Sequence, residues 1–395
     1  NGIYYGDNIF NNSRVFYDEF IGAPTLSNPH TFICGTTGAG KSVTLKLKAE
    51  RSAASGCWGV ILDPQEEYKK LIMHLGGQYI TLQPGIKSGI NPFELEVVED
   101  ENGKKMVDLY GKRSEIIEML SVFSEKFRNG KPLAGVEITA VDSTVEKLYE
   151  DFGITGNPES LYKKQQIEKD GKFYTNKIKK DLPTLSDLRK ALIEYNEKLD
   201  SRDLSEFIEV MKMITGDGPM AIFDCQTTIT LNKRIIAFCF KHLTDEFSRF
   251  FAQVNTLTWI WSKFSNYKYK NIKKQVYVDE GRLFAKYKQS LNFIEDIARL
   301  GRKYHISLTI ATQFIDDFLG DKSSEAIINL CATKIILKQE SAVADKTVDF
   351  FHLSDRCKKF IRTFAPGQAI LLSEASEPVI LNIKPFDYER KYVTT

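Results

Sequence analysis

The chain has 395 residues, is 42% apolar and carries a formal charge of +2. That is an ordinary globular balance with length enough for two or three cores, and it excludes a global basic field that would draw nucleic acid. No uninterrupted apolar run approaches the roughly 18–20 residues that span a bilayer, and no signal-peptide pattern is present. Cys34, Cys57, Cys225, Cys239, Cys331 and Cys357 form no CxxC pair, which offers no zinc site and suits free thiols in a reducing cytosol. The chain begins at Asn1 rather than Met, the expectation for a fragment or a processed chain.

In chain order, a first apolar run, Thr31 to Cys34, leads into Gly35-Thr36-Thr37-Gly38-Ala39-Gly40-Lys41-Ser42 and out into a helix carrying Val43, Leu45 and Leu47. Strand, loop and helix in that order separate a phosphate-binding P-loop from a chance glycine pattern. The glycines let successive backbone N–H groups turn inward around an anion, and the helix N-terminus adds partial positive charge. Lys41 would reach the β- and γ-phosphates, and the Ser42 hydroxyl would ligate Mg²⁺.

Further β-rich runs follow at Gly59 to Leu62, Ala221 to Phe223, Ile235 to Phe240, Val276 to Val278, Ile306 to Ala311, Lys334 to Leu337, Ala369 to Leu372 and Val379 to Ile383. Several are continuous rather than alternating, as strands buried on both faces of a parallel sheet are. With helical patterns between them, they predict an α/β nucleotide-binding core with a mostly parallel sheet flanked by helices.

Residues 104–215 read differently, because helical spacing dominates there. Val141, Val145, Leu148, Tyr149 and Phe152 make one apolar stripe, and Thr184 to Asp187 resembles a capping box opening a helix with Leu188, Leu192 and Leu199. The expected organisation is a core over 1–103 and 216–395, interrupted by an all-α subdomain over 104–215. A lysine-rich stretch (Lys163, Lys164, Lys169, Lys172, Lys177, Lys179, Lys180) interleaved with Tyr162, Phe173 and Tyr174 is diluted by Glu159, Glu168, Asp170 and Asp181, and reads as a solvated hairpin or loop. Lys263 to Lys274, with Phe264, Tyr267 and Tyr269, reads as a surface loop before a strand, with single-stranded nucleic acid as the other account.

Gln275 to Val278 lead into Asp279 and Glu280, an apolar strand followed by two acids, as a Walker B motif requires. Asp279 would hold Mg²⁺ through its water shell, and Glu280 would polarise the attacking water as general base, with Glu66 or Glu67 next in line. The next strand ends at Gln313, whose amide can donate to one group and accept from another, and so can report on a γ-phosphate or the attacking water. A helix over Ser290 to Tyr304, with Phe293, Ile297 and Leu300 on one side, carries Arg299, Arg302 and Lys303 near its end. Those cations suit the helix dipole without further function. In the sharper reading Arg302 is a finger reaching a neighbouring subunit's γ-phosphate, which implies a ring, usually a hexamer.

The order P-loop, Asp63-Pro64-Gln65-Glu66-Glu67-Tyr68, Asn91-Pro92-Phe93, Asp279-Glu280, Gly301-Arg302-Lys303 and Ala311-Thr312-Gln313 resembles the FtsK/HerA-type motor superfamily. Within it the chain is similar to the large ATPase of type IV secretion and conjugation systems, the fourth VirB component, also called TraC or TrbE. Gly2 to Asn8, Asp18, Asn28, Phe223-Asp224, Asn329, Thr333 to Gln339, Gly367 to Leu372 and Phe386 to Glu389 extend the resemblance over nearly the whole chain. Cys225 departs from it, standing where the family often has glycine.

The resemblance implies a RecA-like core, a helical insertion like that of the TrwB or TraD coupling proteins, and an additional N-terminal domain. It implies an ATPase using ATP and Mg²⁺, with Lys41, Ser42, Asp279, Glu280, Arg302 and Gln313 in the roles given above. Adenine preference rests on it too, because Asn232-Lys233 lacks the acid that would complete a guanine-reading NKxD. The expected partners are further copies of the chain in a hexameric ring, a monomer being the expectation for an isolated fragment, and other secretion components including a coupling protein and inner-membrane subunits. Membrane association would come through partners or a missing N-terminal part, placing the protein in the cytoplasm on the inner face of the bacterial membrane. A DNA-pumping translocase and a non-hydrolysing nucleotide-sensing scaffold are the alternatives, and nucleic acid is the less favoured partner.

Overall fold

A computed structural model describes residues 2–99, 102–169, 172–199, 203–231, 233–319 and 322–394. Asn232 lies outside them, as do the side chains of 167–174 and with them the expectations on Glu168, Lys169, Asp170, Lys172, Phe173 and Tyr174. The strands are β1 (Ile3–Asn8), β2 (Arg14–Tyr17), β3 (Thr31–Cys34), β4 (Trp58–Asp63), β5 (Gln78–Thr81), β6 (Val97–Glu99), β7 (Lys105–Val107), β8 (Tyr162–Lys169), β9 (Lys172–Lys179), β10 (Ile235–Cys239), β11 (Lys274–Val278), β12 (Ile306–Thr312), β13 (Thr333–Ile336), β14 (Gln368–Ser373) and β15 (Ser376–Asn382). Two helices matter most to the site, α1 (Lys41–Ala54) and α2 (Lys69–His74). Two compact units divide the chain. One takes Asn1–Thr81, Leu231–Lys241 and Lys270–Thr395, and the other Leu82–Thr230 and His242–Tyr269.

The first unit is built on an 11-stranded sheet in the order β2-β1-β15-β14-β13-β3-β12-β11-β4-β10-β5. From β13 to β5 every neighbouring pair is parallel, while β14, β15, β1 and β2 extend the sheet in antiparallel fashion. Every residue of β3, β10, β11 and β12 is buried, which explains why their apolar residues do not simply alternate with charged ones. Register then fixes the working edge: Thr312 pairs with Cys34 and Val278 with Ile310. The loops beginning at Gly35, Asp279 and Gln313 therefore leave the same carboxyl edge of the sheet, where open α/β sheets gather their sites.

Helix α1 is not a one-sided surface helix, since buried positions include Lys41, Lys46, Lys48 and Glu50 as well as Leu45, Leu47 and Ala49. Lys48 meets Glu19 at 2.7 Å with both side chains almost wholly buried, and also donates to Thr31 Oγ1 at 2.9 Å and Thr309 Oγ1 at 2.5 Å. Near its far end Arg51 grips Glu389 through two hydrogen bonds of 2.9 and 2.7 Å.

The second unit carries helices at Leu109–Phe127, Gly135–Asp151, Leu185–Glu197, Ser205–Val210 and Glu246–Phe264. Thr184 caps the third of these in a capping box with Asp187, and Val141, Val145, Leu148 and Tyr149 are buried along the second. The unit is not all-helical: β6 pairs with β7 and β8 with β9 as antiparallel hairpins. The lysine-rich β8–β9 stretch is the hairpin expected there, while β6 and β7, three residues each, are too short to show a strand alternation. The unit also takes in 82–103 and 242–269 beyond the expected 104–215.

Three local expectations change. Ala221–Phe223 is a buried 3₁₀ turn rather than a strand, since three apolar residues suit any buried segment equally well. Lys263 and Phe264 end the helix Glu246–Phe264, with Lys263 buried between Glu94 and Glu96 at 2.6 and 2.5 Å rather than lying in a surface loop. The helix Lys288–Leu300 buries Leu291, Ile294, Ile297 and Ala298, leaving Leu300 49% exposed because the inward stripe lies about one residue round from the expected one.

Candidate active site

The P-loop is shaped by backbone that only glycine accepts. Gly38 and Gly40 sit at φ 77° and 100°, in the left-handed region closed to most side chains. A Cβ on Gly40 would stand 3.0 Å from the Gly367 nitrogen, and Gly367 N–H itself donates to Ala39 O at 3.0 Å. Thr36 N–H donates to Lys338 O at 2.8 Å, so the loop is braced by segments far along the chain. Gly40 caps α1 without a side-chain hydrogen bond, which leaves the first-turn N–H groups for an anion.

Lys41 is 7% exposed and its Nζ donates to Thr36 O at 3.2 Å. Burial pulls its pKa down from the ordinary lysine value, and the charges of Glu280 and Asp279 push back. A desolvated ammonium held against the loop carbonyl is ready to exchange that partner for phosphate oxygens.

Asp279 and Glu280 follow β11 directly. Asp279 is 3% exposed; its Oδ2 accepts from Tyr68 Oη at 2.7 Å and its Oδ1 from Glu280 N–H at 3.0 Å. Burial raises its pKa to about 6, the Tyr68 hydrogen bond opposes the rise, and Glu280's charge adds to it. Glu280 has φ 51°, a left-handed turn that ends the strand. Its Oε1 accepts from Gln313 Nε2 at 2.8 Å, and Gln313 Oε1 accepts in turn from Thr37 Oγ1 at 3.1 Å. Because a carboxylate only accepts, this assigns the amide orientation: NH₂ towards Glu280, oxygen towards the P-loop.

Thus Thr37, Gln313 and Glu280 form one hydrogen-bonded chain beside Lys41. Ser42 stands in the first turn of α1. Among the described residues no group of three or more His, Cys, Asp or Glu side chains could hold a metal ion. Hard oxygen donors as sparse as the Ser42 hydroxyl and the Asp279 carboxylate fit Mg²⁺, which takes its remaining ligands from water and substrate phosphates.

The other candidates are placed differently. Glu67 pairs with Lys46 at 3.5 Å, and Glu66 with Lys69 and Lys241 at 3.8 and 3.5 Å. Arg302 lies in the turn Gly301–Tyr304 before β12, at the amino edge of the sheet, exposed and donating to Ser27 O at 2.8 Å. The seven-residue length of β12 puts about 20 Å between that edge and the P-loop edge, so Arg302 does not join its own chain's site. Sequence reasoning missed the Tyr68–Asp279 contact and the Thr37–Gln313 contact. Asp63 to Tyr68 had stood out only as a string, with nothing in it to name its partner.

The TraG P-loop domain model matches residues 14–368. Protein TraC of Escherichia coli (strain K12) is 24% identical over 341 residues, covering 84% of this chain and 35% of that protein; the chain spans about a third of the curated relative it matches. Among solved structures, VirB4 of Thermoanaerobacter pseudethanolicus superposes with a TM-score of 0.76 at 20% identity, over 98% of this chain and 97% of that one. The plasmid coupling protein TrwB in complex with ADP and Mg²⁺ gives 0.56 at 15% identity, over 92% and 87%. The α/β fold with its mostly parallel sheet is therefore shared with both, and the resemblance read in the sequence is borne out.

Proposed function

The chain belongs to the TraG P-loop domain family, and from that premise we propose that it is an ATP-hydrolysing motor domain energising the assembly of, or transport through, a bacterial type IV secretion or conjugation machine. What supports hydrolysis over mere nucleotide sensing is Glu280, a carboxylate held beside the P-loop by Gln313, since a sensor needs no general base. Lys41 and the loop N–H groups from Gly35 to Ser42 bind the phosphates. Ser42 and Asp279 would hold a magnesium ion, which when bound would supply charge neutralisation on the phosphates. Glu280 takes the proton of the attacking water, and Gln313 keeps one of the glutamate's oxygens occupied so that the other faces the water. Arg302, being remote from its own site, serves a neighbouring copy across a ring, hexameric when active.

In this reading the partners are further copies of the chain, a coupling protein and inner-membrane subunits, on the cytoplasmic face of the membrane. Among the described residues no helix is long and apolar enough to cross a membrane. The test is ATPase rate against protein concentration, with and without DNA. A rate per subunit that climbs with concentration and ignores DNA is expected. Salt-sensitive stimulation by DNA would favour a DNA pump, and binding without turnover at every concentration would favour a scaffold.

A further inference from the structure

The loop Asp63-Pro64-Gln65-Glu66-Glu67-Tyr68 has no role in the proposed hydrolysis, yet its last residue, Tyr68, contacts the Walker B acid Asp279. Asp63 closes β4 with its carboxylate fully buried. Through Oδ1 it accepts the N–H groups of Gln65 and Glu67 at 3.2 and 3.1 Å, and through Oδ2 the N–H of Tyr68 at 3.1 Å and the hydroxyl of Tyr79 at 2.7 Å. The loop is thus wound around one carboxylate, and Glu66 takes φ 63° to make the bend.

Tyr68 emerges from that winding with 0% exposure, and the Lys46 ammonium stands 5.3 Å from its ring centroid. Its one hydroxyl proton goes to Asp279 Oδ2 at 2.7 Å, across 211 positions of sequence. The other oxygen of Asp279 takes the Glu280 N–H. One hydrogen bond on each oxygen fixes the rotation of a carboxylate that otherwise turns freely about its last bond, and leaves a second lone pair on each.

We propose that Tyr68 is a positioning residue for Asp279: its hydroxyl, carried on the Asp63-wound loop, holds the carboxylate in the rotation that presents a free lone pair to the cation accompanying the nucleotide. The role rests on the assignment of Asp279 as a cation-holding residue. Buried hydrogen bonds to a metal-holding side chain set its orientation, and their loss weakens metal affinity while leaving the fold in place.

The test uses the Glu280→Gln chain, which is expected to bind without turning over, and titrates a fluorescent ATP analogue against Mg²⁺ and again in EDTA. Tyr68→Phe in that chain should raise the half-saturating Mg²⁺ about tenfold, the loss expected for one hydrogen bond to a charged group. Its metal-free affinity should stay that of the parent, and its unfolding midpoint should fall no further than that of Tyr79→Phe, which also deletes a hydroxyl bonded to a buried carboxylate. Tyr79→Phe removes the other hydroxyl of the same loop, and should leave the Mg²⁺ response unchanged. An equal shift in both variants would mean general loosening and overturn the proposal, as would an unshifted Tyr68→Phe or one that fails to fold. Asp279→Asn separates the two claims. If it shifts the Mg²⁺ response and Tyr68→Phe does not, only the positioning role falls; if Asp279→Asn shifts nothing, the assignment of Asp279 itself falls.

Discussion

Beneath the P-loop helix, replacing Glu19 by Gln keeps the side chain's size and removes its charge. Lys48 would then hold an ammonium at 2% side-chain exposure with only neutral acceptors, the Thr31 and Thr309 hydroxyls and the new amide oxygen. Breaking one side of a buried pair costs about 3–5 kcal/mol, whereas replacing both sides by apolar groups is often neutral. Urea unfolding at neutral pH should therefore show a loss of that size for Glu19→Gln, most of it recovered in Glu19→Gln/Lys48→Met. The pH dependence adds a second check. Burial already pulls the Lys48 pKa down, and without Glu19 nothing of full charge opposes it. As pH rises towards the ordinary lysine value the unfolded chain holds more protons than the folded one, so the variant should regain stability in that direction. A loss below about 1 kcal/mol, or a double variant no better than the single one, would refute the argument from an unpaired buried charge.

Lys41→Ala should abolish nucleotide binding or hydrolysis, and full activity in that variant would sink the P-loop assignment. Glu280→Gln should keep ATP binding and lose turnover; unchanged turnover would move the base to Glu67 or Glu66. Arg302→Ala should slow hydrolysis and be partly rescued by mixing with Glu280→Gln subunits, and no rescue in rings shown to be mixed would count against a finger in trans. Burial lowers the His30 pKa from 6.5 to about 4, so its neutral form stabilises the fold above pH 6.5 and that contribution is lost as pH falls towards 4. The stability gap between the wild type and His30→Leu should shrink by about 3 kcal/mol over that window, and a gap that stays constant would show that His30 does not titrate there.

Gly35 to Ser42, Asp279-Glu280 and Gln313 were legible because each is a short string at the end of a continuous apolar strand, and parallel register does the rest. Thr184 to Asp187 was legible for the same reason, a local pattern closing on itself. What escaped depends on partners distant in sequence. Nothing in Leu45-Lys46-Leu47-Lys48 marks Lys48 as the residue that meets Glu19, and nothing in Asp63 to Tyr68 points to Asp279. The stripe on Lys288–Leu300 was misplaced by about one residue because Phe293 and Leu300 are as apolar as the Leu291 and Ile294 that turn inward. The stretch from Tyr162 to Lys179 was legible as a solvated hairpin from its mixed charges, but its strand register was not, since lysine on both faces erases the alternation.

The bracing of the P-loop has a consequence for the order in which the protein comes into being. Thr36 leans on the carbonyl of Lys338, Ala39 on the amide of Gly367, and the strand that launches the loop lies between β12 and β13. A ribosome has written Gly35 to Ser42 within its first few dozen codons of this segment, but the flanking strands emerge some 270 residues later. Until then the loop lacks the neighbours that hold it in the folded chain. Long-range pairing of this kind is slow to form, and the bracing of the loop cannot be complete before Gly367 has left the ribosome.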